Sequence, residues 1–165
     1  MSELAMPATD LLAWVDKTGQ TWKGLLEKHP GSLELSCDIA GAKNVGELLR
    51  HIVVVELRFA EWLTGGPETP HEQILSGSVE EIYANHDRAL QLMRELLAKD
   101  GLDWSQEMEF RTRKMGTLKA ARSVFFFHPL LHAVRHYAQL ATLLRPHGIT
   151  PDWPMDYLWV AARRV

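Results

Sequence analysis

Apolar side chains recur along this chain at intervals of three and four residues, the spacing that lines one face of an α-helix. Four stretches carry the pattern. In the first, from about Ala8 to Lys28, the stripe is Leu11, Leu12, Val15, Trp22, Leu25 and Leu26; Pro7 suits the opening turn and Pro30-Gly31 ends it. The second opens at Asn44, with Glu47 at the offset of a capping box, and carries Val45, Leu48, Leu49, Ile52, Val55, Phe59, Trp62 and Leu63 up to the stop Gly65-Gly66-Pro67. The third begins at Ser78, with Glu81 at the same offset; Ile82, Leu90, Leu92, Met93, Leu96 and Leu97 supply its apolar face, and it is the most polar of the set. The fourth reads from near Thr117 to about Arg145, ahead of Pro146-His147-Gly148. Pro129 falls inside it. Proline lacks an N–H and clashes with the preceding turn, so a kink or break is expected near His128.

Between the third and fourth stretches, Glu107 to Arg113 alternates and suggests a short extended piece, but no series of strands is long enough for a sheet. The tail from Pro151 to Trp159 reads as a turn and packed coil. The expected class is therefore all-α, a four-helix bundle. The connector from Thr64 to Gly77 has about fourteen residues, which at ~3.3 Å each reach ~45 Å. A twenty-residue helix is only ~30 Å long, so the second and third helices need not be antiparallel neighbours.

The chain has 165 residues, 46% of them hydrophobic, which fits one domain over residues 1–165 with a genuine core. A formal net charge of −3, with basic residues scattered among acidic ones, argues against a nucleic-acid partner. Cys37 is the one cysteine, so no disulfide forms within the chain, and a reducing cytoplasm fits. Met1-Ser2-Glu3-Leu4 does not begin a secretory leader, and no apolar run approaches the ~20 residues of a membrane span. A cytoplasmic protein with no membrane partner is expected.

Candidate chemistry concentrates in the fourth stretch, where His128, His132 and His136 recur every four residues. Imidazoles at i and i+4 share a helix face and can reach one metal ion. His132 and His136 are the stronger pair, and His51, at the edge of the second stripe, is the natural third ligand from another helix. Three protein ligands with one open position is the catalytic arrangement. His128 is read instead as a structural or solvent-facing histidine. Glu56 falls on the apolar stripe with Ile52, Phe59 and Leu63. A carboxylate is rarely buried alone, and it lies about 140° round the helix from His51. It is therefore expected to pair structurally with an Arg or His of another helix. Phe125, Phe126 and Phe127 read as core, and Trp153 and Trp159 as cover for a bundle end or a dimer contact. His29, His71, His86 and His147 read as solvated residues near helix ends or connectors, and nothing basic close in sequence activates Cys37.

The segment Asn44-Val45-Gly46-Glu47-Leu48-Leu49-Arg50-His51-Ile52-Val53-Val54-Val55-Glu56 resembles the second-helix motif of the DinB/YfiT-like metalloenzymes, a histidine after a "v-x-e-l-l-x-H" run with a glutamate five residues on. His132-Ala133-Val134-Arg135-His136-Tyr137-Ala138-Gln139-Leu140 resembles that family's fourth-helix signature, H-x-x-x-H-R-G-Q-[LIV], with Tyr137-Ala138 in place of Arg-Gly. Leu143 to Gly148 and Asp156-Tyr157 resemble the tail that follows it. The resemblance implies a bundle of up-down-down-up topology. It also implies a divalent metal, commonly Zn or Ni, on three histidines, which by matching position are His51, His132 and His136. Activities among such relatives include bacillithiol and mycothiol transfer and isomerisation. The expected function is therefore metal-dependent transfer of a low-molecular-weight thiol to a small electrophile, the partner being a small-molecule substrate. Two alternatives stay open. One is metal-dependent hydrolysis, with Glu56 or Asp156 as base because no H-E-x-x-H glutamate is present. The other is a non-catalytic, stress-related binding module. A homodimer is the default assembly.

Overall fold

Four long helices, among the described residues, form where the apolar pattern places them: α1 Ala8–Glu27, α2 Val45–Thr64, α3 Val79–Leu97 and α4 Arg122–Leu144. The computed structural model describes residues 6–112, 116–158 and 162. The caps do what the sequence offers. Asn44 Oδ1 accepts from Glu47 N at 2.8 Å, and Ser78 Oγ from Glu81 N at 3.2 Å. Each glutamate reaches back in turn, Glu47 to Lys43 N and Glu81 to Gly77 N, so orphan N–H groups at both helix starts are satisfied. Gly65 ends α2 in the left-handed region, at φ 69°.

The helices pack around one apolar core, α2 against α3 and α4, and α1 against the same two. Trp22 of α1 is fully buried, stacked on Tyr137 of α4 with centroids 5.9 Å apart, and Trp153 closes on it edge-on at 5.5 Å. Trp159, expected beside it, lies outside the described residues. Burying side chains of this size stabilises by roughly 1.5–3 kcal/mol each. The connector after α2 is tied down along its length. Arg50 donates to the carbonyls of Ile74 and His71, and buried Glu61 accepts from Thr69 N at 3.0 Å.

Two expectations need correction. The chain is not purely helical: Glu107–Thr112 (β1) and Gly116–Ala121 (β2) pair antiparallel, from Glu107 opposite Ala121 to Thr112 opposite Gly116. The fourth helix accordingly starts at Arg122, not Thr117. The hairpin base sets that start, because Arg122 N donates to Gln106 O and Ser123 N to Trp104 O. Phe110 of β1 packs edge-on against Phe125, centroids 4.9 Å apart, which anchors the hairpin to α4. Secondly, α4 runs unbroken through Pro129, which is buried within it. The packing of Phe125, Phe126, Leu130 and Ala133, each no more than 1% exposed, outweighs the one lost helix hydrogen bond.

Candidate metal centre

His132 and His136 stand one turn apart on the inner face of α4, 9% and 2% exposed, and His51 of α2 faces them. Neighbouring residues explain the orientation. Leu48, Ile52 and Leu130, Ala133, Leu140 are buried on either side, and their stripes fix the rotation of both helices. The three Nε2 atoms converge. His132 Nε2 is 3.1 Å from His51 Nε2 and 3.1 Å from His136 Nε2, and one ligand nitrogen from each ring lies within 4.8 Å of the others. A tetrahedral ion bonded at ~2.0–2.1 Å holds its imidazole nitrogens about 3.3 Å apart. The three rings could therefore hold one metal ion between them.

The chemistry of the donors agrees. His136 Nδ1 lies 2.7 Å from Gln139 Oε1, an atom that can only accept, so Nδ1 carries the proton and Nε2 presents a lone pair inward. Burial lowers the proton affinity of His132 to about 3, assisted by His136, His51 and Arg135. Burial and then Arg135 lower that of His51; burial, against the opposing Gln139 bond, lowers that of His136. All three rings are held in the neutral form that binds metal. A cleft of about 460 Å³, lined in part by Ala40, Glu47, Arg50, Val54 and His71, has His51 in its wall and gives a small molecule room beside that residue.

His128 is not part of the converging group. Its ring tilts onto Phe59 at 4.8 Å and lies 5.8 Å from that of His132. Phe125 and Phe126 are core, as expected, and Phe127 is half-buried.

One residue was misjudged from sequence. His86 is not solvated; its side chain is fully buried on α3, and its Nδ1 lies 2.7 Å from Oε2 of the equally buried Glu56. Glu56 thus has the histidine partner from another helix that its burial demanded. Burial opposes a charge on His86, but Glu56, through its charge and its hydrogen bond, with Asp87 and Asp16 adding, raises its proton affinity overall. The signal was available. His86 falls in register with Ile82, Ala89 and Met93, all buried on the same helix face. Its Nε2 has no hydrogen-bond partner among the described residues and lies 3.9 Å from Asp16 Oδ1. Asp16 and Asp87 complete a second group within metal-binding distance, yet Asp16 is engaged by Arg94 and Asp87 by Gln20.

Helices packed around three inward imidazoles define a class, that of helical-bundle proteins with a three-histidine centre suited to a divalent metal. The sequence profile of the DinB family matches residues 1–164, and the chain belongs to the DinB family. No curated protein matches it. No helix among the described residues is long and apolar enough to cross a membrane.

Proposed function

We propose that this DinB-family protein is a cytoplasmic metal-dependent enzyme that transfers a low-molecular-weight thiol to a small electrophile, with Zn or Ni held by His51, His132 and His136. The convergence of three Nε2 atoms, one of them fixed in the right tautomer by Gln139, carries the reading. A bound divalent ion supplies Lewis acidity, which lowers the pKa of a thiol that reaches it. The protein's own residues do the rest. His132 and His136, almost wholly buried, keep water from one side. His51 forms the wall of the cleft through which a small substrate arrives. Hydrolysis is less well supported, because Glu56, one candidate base, is bound to His86, and Asp156, the other, is an exposed residue of the segment that hydrogen-bonds α1 at Trp14 and Asp10.

The proposal extends to an up-down-down-up winding of one domain. Supporting it, Asp16 and Gln20 of α1 meet Arg94 and Asp87 of α3 in reverse order. His51 and Phe59 of α2 meet His132 and Phe125 of α4 in reverse order too, whereas Glu56 and Glu61 of α2 meet His86 and Arg88 of α3 in the same order.

Elemental mass spectrometry of tag-free protein, before and after His132→Ala, tests the centre, followed by a screen of small thiols against electrophiles. About one equivalent of metal, lost in the variant, is expected. No metal after reconstitution with Zn and Ni would refute the proposal.

A further inference from the structure

Arg135 is one of two arginines on α4, and the one that stands beside the three-histidine centre. Its Nη2 donates toward His136 Nε2 across 3.1 Å, the same nitrogen that faces His132 and His51. Among the described residues no carboxylate forms an ion pair with it, whereas Arg58, Arg88 and Arg94 each have one. Its charge is felt by His51, His128, His132 and His136, and no carboxylate acts on any of those rings. An exposed cation with no counter-ion among the described residues thus stands beside a neutral cradle.

Loading the cradle sharpens the imbalance. Three neutral imidazoles leave the charge of a divalent ion uncompensated, and Arg135 adds a further positive charge beside it. An ion on His136 Nε2 also takes up the lone pair toward which the guanidinium points, so Arg135 loses its one acceptor. Its five N–H donors form a planar fork suited to a carboxylate. Its Nη2 stands 3.1 Å from a nitrogen that would hold the ion. A carboxylate bound by Arg135 would therefore lie close to a thiol held at the centre.

We infer that Arg135 is a substrate-binding residue that takes the carboxylate of a small thiol, so that the substrate class is a carboxylate-bearing thiol, not a neutral or amino thiol. The inference rests on the proposed metal–thiol reading of the centre. It also sets the order of preference: anionic thiols first, neutral ones next, cationic ones last.

The test uses the whole protein loaded with Co(II), whose sulfur-to-metal charge-transfer band reports thiolate binding without turnover. 3-Mercaptopropionate, 2-mercaptoethanol and cysteamine are titrated into wild type, Arg135→Gln and Arg135→Lys. Wild type is expected to bind 3-mercaptopropionate at least about tenfold more tightly than 2-mercaptoethanol, a preference that shrinks with added salt. Arg135→Gln should retain cobalt and lose the preference, and Arg135→Lys should keep part of it. If either variant fails to fold, the wild-type preference and its salt dependence still decide. Equal binding of the three thiols by wild type, or an unchanged preference in Arg135→Gln, would overturn the assignment of Arg135 and leave the metal–thiol reading standing. Cobalt bound with no thiolate band for any thiol would overturn both.

Discussion

Gly19 of α1 lies so close to the ring of His86 on α3 that a Cβ at residue 19 would stand 2.5 Å from Nε2 and 2.6 Å from Cε1. The ring cannot swing aside, because it is fully buried and its other nitrogen is bonded to Glu56. Replacing glycine by alanine inside a helix ordinarily stabilises by roughly 0.5–1 kcal/mol. At residue 19 the sign should reverse, with Gly19→Ala costing about 1–3 kcal/mol through overpacking. Gly24 on the same helix is the control, since its added Cβ would meet nothing within 4 Å and should give the ordinary gain. Urea unfolding of both variants checks this; equal and positive shifts would show that His86 is not locked against α1.

The Glu56–His86 pair should give a pH-dependent contribution to stability whose sign follows from the direction of the shift. The folded state holds the His86 proton more tightly than the unfolded chain, which releases it near pH ~6.5. The contribution is therefore whole below that value and is lost as pH rises through the higher folded value. Glu56 on α2, Asp16 on α1 and Asp87 beside it on α3 are the charges that bear on the ring. Glu56→Gln keeps an acceptor for Nδ1 and removes only the charge. The gap in unfolding free energy between wild type and Glu56→Gln should narrow as pH rises above about 6.5. A constant gap would mean that His86 carries no extra proton. Glu56→Ala, which leaves a buried imidazole unpartnered, should cost more, about 3–5 kcal/mol.

Much of this architecture was readable because one face of each helix is buried. Helical periodicity placed α1, α2 and α3 nearly to the residue, and the Asn44 and Ser78 caps mark real starts. His132 and His136 were legible for the same reason, since i, i+4 spacing on a buried stripe is a geometric statement. His51 was named from its place at the edge of the α2 stripe, and the family resemblance strengthened that choice. The hairpin was half legible. Glu107 to Thr112 alternates, but its partner Gly-Thr-Leu-Lys-Ala-Ala lacks β-branched density and reads as the start of a helix. Its pairing comes from tertiary contact, with Phe110 lying on Phe125. His86 was misread because Asn85, Asp87 and Arg88 surround it in sequence, and a polar neighbourhood along the chain says little about which face is buried.

The geometry ranks four α2 and α4 residues by their effect on metal affinity. His51→Ala removes a converging nitrogen and should abolish stoichiometric metal. His128→Ala should retain it, because that ring is stacked on Phe59 and does not join the group. Gln139→Ala removes only the acceptor that fixes the His136 tautomer and should weaken binding by about 10–100-fold without abolishing it. Arg135→Gln should leave affinity intact or raise it, since a neighbouring cation is removed. Competition with a chromophoric zinc chelator gives all four values. Equal losses at residues 51 and 128 would mean that the wrong histidine has been assigned.

Metal uptake should resist acid more than histidine sites ordinarily do. Free imidazoles protonate near pH ~6.5, and below it each required ring costs about tenfold in affinity per pH unit. Here burial foremost, with Arg135 adding at each ring and the neighbouring histidines at His132 and His136, lowers the proton affinity of all three rings, His132 to about 3. Protons therefore begin to compete below the usual value, and zinc affinity should start to fall at a lower pH than it does at exposed histidines. The same shifts make the metal-free protein acid-sensitive. The unfolded chain takes up protons that the folded site refuses, so the stability present above pH ~6.5 is lost as pH falls from there toward the lowered folded values. Zinc affinity and apoprotein unfolding measured from about pH 7.5 to about pH 5 test both signs. An affinity already falling steeply at pH ~6.5 would show that the rings titrate as if exposed. The buried cradle would then have to be open in solution.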